Sequence, residues 1–292
     1  MRKKSIEQPI SNIESKEDKR ELEMKKLLKE VFGEERWMKS FLSDDSHGFN
    51  HGNQVRLACL ELIKKLTLSE RKTFLQEGKE FCKDDFSDCV LAATEIAAIF
   101  HDCGRFNEDG KIITAEQKNH HILSAERAEV FCKNINFSNA IPHVRKAILS
   151  HDFQSKELTP DLSPPEKIMG KIVQSSDQIG WFHPDSAKRT LDFSKEIGRP
   201  FFKPELSLEE RLEWKPFSHK NEDALTVMLR QLFGPTGTDR FGVGFAREKI
   251  GKYKLGLEKS ILKIAEDFNV VSEVKALIEA FRKDSLERNK ED

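Results

Sequence analysis

Ala97-Ala98-Ile99-Phe100-His101-Asp102-Cys103-Gly104-Arg105 is the stretch that decides how this chain is read. An apolar run with the pattern of the last turns of a buried helix ends in an adjacent imidazole and carboxylate, followed by a glycine and an arginine. Neither polar side chain is favourable to bury unless it is paired or bound to a cation. A helix end can aim two neighbouring side chains at one point, because the second is already leaving helical geometry at the glycine that follows. Taken alone, the pair reads as a helix C-terminus with a satisfied histidine. A metal ion is the natural alternative, and the rest of the chain decides between them.

Upstream, Val90, Leu91, Ala92, Ile96 and Ile99 repeat at helical spacing and lead into the pair. A polar helix is expected from Ser69 to about Phe81. Before it, a turn-rich loop from Ser43 to Asn53 carries His47 and His51 and leads into the helical run Val55, Leu57, Ala58, Leu60, Leu62, Ile63, Leu66. That places His51 at or just before a helix start and leaves His47 in the loop. Residues 1–16 mix charge with Ser, Asn and Pro and are expected to be disordered. From 17 to about Phe41 the pattern is an amphipathic helix or pair of helices.

Downstream, His120-His121 opens a helix, and another begins at Pro142 and runs to a second pair, His151-Asp152. A helix through Ile168, Met169, Ile172 and Val173 ends in Ser175-Ser176-Asp177. From Trp181 to about Trp214 the chain reads as irregular and aromatic, broken by Pro184, Pro200 and Pro204. A helix from Ala224 to Phe233, a glycine-rich connector from Gly234 to Gly244 and two amphipathic helices follow. The connector lacks a GxxxxGK[ST] match and follows no strand, so it reads as a link rather than a phosphate cradle. Strand patterns are nearly absent, so the expected class is all-α. The division expected is a metal-binding helical domain over 17–180 and a C-terminal helical annex or lid over 181–292.

In the 292 residues, 49 basic side chains nearly cancel 50 acidic ones, so there is no global electrostatic case for nucleic acid. Five cysteines without CxxC spacing suit reduced thiols in a cytoplasmic setting. No apolar run is long enough to span a membrane, and no signal sequence is evident. The expected partner is a small molecule, and homodimerisation is left open.

His51, His101, Asp102, His120, His151 and Asp177 all fall near helix ends or starts, and imidazoles with a few carboxylates suit Mn, Fe, Co, Ni or Zn. Their order resembles that of the HD superfamily of metal-dependent phosphohydrolases. His51-Gly-Asn-Gln-Val55 resembles the first motif, and Ile99 to Arg105 the signature with its trailing glycine and basic residue. His120-His121-Ile122-Leu123-Ser124-Ala125-Glu126 is similar to the third, Ile148-Leu149-Ser150-His151 to the fourth and Ile172-Val173-Gln174-Ser175-Ser176-Asp177 to the last. Five motifs in order, over residues 43 to 180, carry a likeness that none carries alone.

The resemblance implies an HD-domain helical bundle in which His51, His101, Asp102 and Asp177 hold one metal. His120 and His151 would complete a second site with Asp102 bridging, where Mg is also compatible, or would face substrate phosphate in a one-metal enzyme. Between His120 and His121 the motif favours His120, one turn before the small residue Ser124. The implied activity is hydrolysis of a small phosphorylated molecule, with nucleotides the leading class, through metal-activated water. Arg105 would steady phosphoryl oxygens, and Asp102 or a nearby histidine would handle the proton. The Gly-Tyr-Pro signature of cyclic-di-GMP phosphodiesterases is missing. Arg105 stands where some nucleotidases of the superfamily carry a Glu, and Gln178 replaces the Arg common after the last Asp. A myo-inositol oxygenase-like di-iron enzyme uses the same ligand order and is the chief rival, followed by a regulatory protein with a vestigial site. His143, His183 and His219 belong to no motif and read as ordinary histidines.

Overall fold

The computed structural model describes residues 11–44, 47–67, 86–112, 120–151, 162–213, 222–233 and 244–288. The chain is all-α: among these residues there are twelve helices and no strand, only an isolated bridge between Phe106 and Ile112. We number them α1 (Ser11–Phe32), α2 (Arg36–Ser43), α3 (Phe49–Lys65), α4 (Phe86–Phe100), α5 (His120–Asn134), α6 (Ile141–Ser150), α7 (Pro164–Phe182), α8 (Ser186–Glu196), α9 (Leu208–Leu212), α10 (Ala224–Phe233), α11 (Gly244–Asp267) and α12 (Val271–Arg288). The expected helix over Ser69 to Phe81, the glycine-rich connector from 234 to 243 and His219 lie outside the described residues.

The bundle is built around α3, which packs on both α4 and α7, while α6 packs on α4, α5 and α7. The contact faces are the apolar stripes read from the sequence. Val55, Cys59 and Leu62 of α3 meet Val90, Ala93, Ala97 and Phe100 of α4 in one buried core with Ala147, Ile148, Ile172 and Val173. The α3–α4 contact is close enough to need a glycine. A Cβ added to Gly52 would lie 2.7 Å from the Ile99 carbonyl oxygen and 3.0 Å from its Cα. An aromatic cluster locks the end of α4: Phe100, fully buried, has its ring centroid 5.2 Å from that of Phe131 and 6.2 Å from that of Phe32.

Three sequence readings change. First, α1 begins at Ser11, inside the stretch 1–16 expected to be disordered, and residues 1–10 lie outside the described residues. Second, α7 does not end at Asp177 but runs to Phe182, because Met169, Ile172, Ser176, Ile179 and Phe182 form one continuous buried stripe. Buried serines stand at positions where an apolar residue would have revealed the period. Pro184 ends the run, since the residue before a proline avoids helical geometry. Third, the proline-broken stretch from Trp181 contains α8, an eleven-residue helix.

A buried network ties α9 to the start of α10 and to Lys203. Arg211 pairs with Asp223 at 2.7 Å, donates to Thr226 Oγ1 at 2.6 Å and to the Lys203 carbonyl at 2.5 Å. The C-terminal helices close on the bundle through α11, which packs on α7 and α8. No described helix is long and apolar enough to cross a membrane.

Gly52→Ala is expected to destabilise the protein by about 1–3 kcal/mol, the usual cost of forcing extra atoms into a packed contact. A urea unfolding midpoint lowered accordingly would show it, and an unchanged midpoint would mean that α3 and α4 are not held at this distance.

Candidate metal centre

Five of the six expected ligands are delivered by helix ends. His51 sits in the first turn of α3, His101 follows the last residue of α4, and Asp102 precedes a 3-10 turn over Cys103–Arg105. His120 opens α5, and His151 caps the C-terminus of α6. Asp177 alone comes from within a helix, α7. The structure gathers them into two adjacent groups, His51–His101–Asp177 and Asp102–His120–His151, and within each the donor atoms all lie within 4.8 Å of one another. His121 belongs to neither group, and Asp152 lies outside the described residues.

In the first group Asp177 Oδ1 stands 3.2 Å from His51 Nε2 and 3.5 Å from His101 Nε2. In the second, Asp102 Oδ1 stands 3.3 Å from His120 Nε2 and 3.8 Å from His151 Nε2. Asp102 Oδ2 lies 3.8 Å from His101 Nε2, so this carboxylate faces both groups. Donors bound about 2.1 Å from a shared ion at angles between 90° and 109° are spaced about 3.0–3.4 Å. The observed separations are of that size or slightly wider.

The hydrogen bonding points the same way. His101 Nε2, Asp177 Oδ1, Asp102 Oδ1 and His120 Nε2 are buried and make no aligned hydrogen bond. Groups so placed ordinarily find a partner. On the far side of two rings the partners are fixed: His101 Nδ1 lies 2.6 Å from the Ala98 carbonyl oxygen and His151 Nδ1 lies 2.5 Å from that of Ile148. A carbonyl only accepts, so each neutral ring carries its proton on Nδ1 and turns the Nε2 lone pair inward. Where they are neutral, the rings of His101 and His151 thus turn lone pairs toward the carboxylates of Asp177 and Asp102, and these buried groups could hold metal ions.

Charge is distributed to suit. Burial would raise the Asp102 carboxyl, yet Arg105, His101 and His120 hold it well below the usual carboxylate range. Asp177 is lowered too, with His101 and His51 outweighing its burial. Burial pushes His101 down, but Asp102 and Asp177 more than reverse this and lift it to about 9. His51 and His151 are lowered chiefly by burial, the latter to about 4 with His101 adding to the effect.

Arg105, expected to reach a substrate, is placed against Asp102, with Nε 2.8 Å from Oδ2 and its side chain a quarter exposed. Two supporting residues, Arg127 and Arg189, escaped the sequence reading, and two more, Gly104 and Ser124, were read only for their places in the motifs. The Gly104 N–H donates to Ser124 Oγ at 2.8 Å, tying the 3-10 turn to α5. A Cβ on Gly104 would lie 2.7 Å from the Ser124 nitrogen and closer still to the His120 carbonyl. Arg127, stacked 3.8 Å over Trp37, donates to the carbonyls of Cys103 and Phe106 at 2.7 and 2.8 Å. Arg189 of α8 donates to His51 Nδ1 and to the Gly180 carbonyl, each at 2.8 Å. The only trace of Arg127 in the sequence is its place seven residues after His120, and Arg189 lies in the stretch read as irregular. Basic residues on amphipathic helices read as a solvated face.

His47 stays outside both groups, its ring 5.3 Å from Phe193 and its pKa held well below the ordinary histidine value, first by burial and then by Arg105. His143 lies 2.9 Å from Glu166, which Lys146 also pairs, away from the centre. A cleft of about 530 Å³ is walled by Ser40 and Ser43 of α2, Phe106 and Ile112, and Arg189 and Glu196 of α8, and none of the six donor residues lines it.

No family model matches the chain, and no curated protein matches it. Among solved structures it is similar to a Lactobacillus plantarum protein determined by crystallography as a Northeast Structural Genomics target, with 13% identity and a TM-score of 0.48, over 84% of this chain and 98% of that one. A likeness of that degree carries no argument.

Because the His101 pKa lies above 7, its proton must leave before Nε2 can ligate. Loading metal-free protein at pH 7 is therefore expected to release roughly one proton per chain from this residue, and affinity should weaken steadily as pH falls. Calorimetry of Mn2+ binding in buffers of different ionisation enthalpy would read the proton count. Zero release, with an affinity indifferent to pH between 6 and 8, would contradict this assignment of charge.

Proposed function

We propose that this chain is an HD-type metal-dependent phosphohydrolase, a phosphomonoesterase or phosphodiesterase, acting on a small phosphorylated substrate with nucleotides as the leading class. The observation that carries the reading is the convergence of His51, His101, Asp177, Asp102, His120 and His151 from five helices and a turn into two adjacent donor groups, in which His101, Asp102, His120 and Asp177 each have a buried atom with no aligned hydrogen bond. Those residues occur in the order of the motifs that resemble the superfamily.

His51, His101 and Asp177 would hold one divalent transition ion, and Asp102, His120 and His151 a second. Mn, Fe, Co, Ni or Zn suit the first group, with Mg compatible with the second. Such ions supply a water nucleophile near neutral pH and neutralise charge on phosphoryl oxygens. The chain's own contribution is positioning. Arg105 keeps Asp102 ionised and oriented, so that one carboxylate oxygen faces His120 and His151 while the other faces His101. With one ion in the first group, His120 and His151 are left to face a phosphoryl group; with two, they become ligands. The guanidinium of Arg105, paired with Asp102 on a side chain a quarter exposed, would also add positive charge toward an approaching phosphate.

The same six donors would serve a di-iron oxygenase, which the histidine-rich, carboxylate-linked pair of groups also suits. The test combines elemental analysis after mild purification with a phosphoester panel assayed in Mn2+. Bound transition metal and phosphate release are the expected result. His101→Ala and Asp102→Ala should each lower turnover by about 100-fold or more, beyond the range lost with a ligand's supporting partner, while the helical circular dichroism persists. Iron content with dioxygen uptake and no phosphate release would favour the oxygenase. Unchanged hydrolysis in either variant would remove the mechanism.

A further inference from the structure

A histidine that ligates metal through one nitrogen ordinarily donates the proton of the other to a carbonyl, carboxylate or water. His101 and His151 obey that rule through Ala98 and Ile148. His51 does not. Its Nδ1 lies 2.8 Å from Nη1 of Arg189, and a guanidinium has donors but no acceptor. Arg189 therefore donates to the Nδ1 lone pair, and the neutral ring keeps its proton on Nε2. That nitrogen is the one facing Asp177 Oδ1 at 3.2 Å, where a ligand to the first group must offer a lone pair.

The arrangement is anchored from a second side. Arg189 Nη2 donates to the carbonyl of Gly180, one turn beyond Asp177 on α7. Gly180 lies directly over the imidazole edge, since a Cβ there would fall 3.7 Å from His51 Cε1. The guanidinium thus bridges α8, α7 and the start of α3, and its charge also opposes a cation in the group beside it. Arg189 also lines the cleft of about 530 Å³.

We propose that Arg189 is a positioning residue that gates the first donor group. While it bonds His51, that imidazole has no Nε2 lone pair to offer beside His101 and Asp177, and withdrawal of the guanidinium frees His51 Nε2 as the third donor. The proposal rests on the metal-centre reading above. It inverts the usual expectation for a residue bonded to the back of a ligand histidine, whose loss weakens metal binding by about 10–100-fold.

Two measurements on the full chain test it. In metal-free wild-type protein labelled with nitrogen-15 at histidine, the His51 spectrum should show a protonated Nε2 and an unprotonated Nδ1, opposite to His101 and His151 wherever those rings are neutral. A neutral His51 protonated on Nδ1 overturns the proposal. In Mn2+ titrations by competition with a chelator, Arg189→Met should tighten the first site by about tenfold or more, the scale of such supporting contacts. Equal or weaker Mn2+ binding in that variant overturns it. The tautomer readout needs no variant, so it decides the question even if Arg189→Met fails to fold. A wild-type protein that takes up no Mn2+ would overturn the metal reading and this inference with it.

Discussion

Two carboxylates, Asp102 and Asp177, are held ionised among four imidazoles with little access to water, and everything else in the structure accommodates that fact. The effective penalty for removing an ion from water is several kcal/mol even after relaxation, against a net stability of about 5–15 kcal/mol for a typical domain. Exposed ion pairs of the kind scattered over these helices contribute about 0–1 kcal/mol each and cannot offset it. Compensation must be local. Arg105 supplies part of it on Asp102, and a proton on His101 supplies another part between the two acids. A divalent cation does the same work with fewer mismatched contacts, since it satisfies lone pairs that hydrogen bonds leave unserved.

Holding such a centre calls for rigid helix ends, which are the places where backbone groups lack intrahelical partners. The structure answers with specific ties. Phe100 is clamped by Phe32 and Phe131, so the residue after it, His101, cannot drift. Arg127 takes up the carbonyls of Cys103 and Phe106, and Ser124 takes up the Gly104 N–H, so the turn that carries Asp102 is fixed to α5, whose first residue is His120. Gln174 of α7 donates to the His151 carbonyl at 3.2 Å, joining the end of α6 to the helix that bears Asp177. Each ligand is therefore coupled to the element that presents another one.

The helical class was legible because it is written as a local pattern, while the six donors that lie together were singled out by the order of motifs that resembles a known family. Apolar residues at 3.6 spacing mark helices, and a polar ligand type at the boundary of such a run stands out against its neighbours. The motif's preference for His120 rested on the small residue one turn on, and it is His120, not His121, that lies with Asp102 and His151. What was not legible depends on burial that sequence cannot show. Ser175 and Ser176 are buried on α7 and hid its continuation past Asp177. Arg127 and Arg189 look like surface charges until the carbonyls and the imidazole they serve are in view. Even Arg105, noticed early, turned out to face Asp102, because a cation three residues from an unpaired buried carboxylate meets it first.

The continuation of α7 also changes what the C-terminal helices mean for the centre. Asp177 and Gly180 lie on one helix with Phe182, and α7 is packed against by α11 while α8 follows after only a short turn. A helix is stiff over this distance, so a shift in how α11 or α8 packs moves Asp177 and the Gly180 carbonyl together. It moves Arg189 with them, because α8 carries that residue back to His51. One donor of the first group and the residue bonded to another are thus set by the packing of the C-terminal helices.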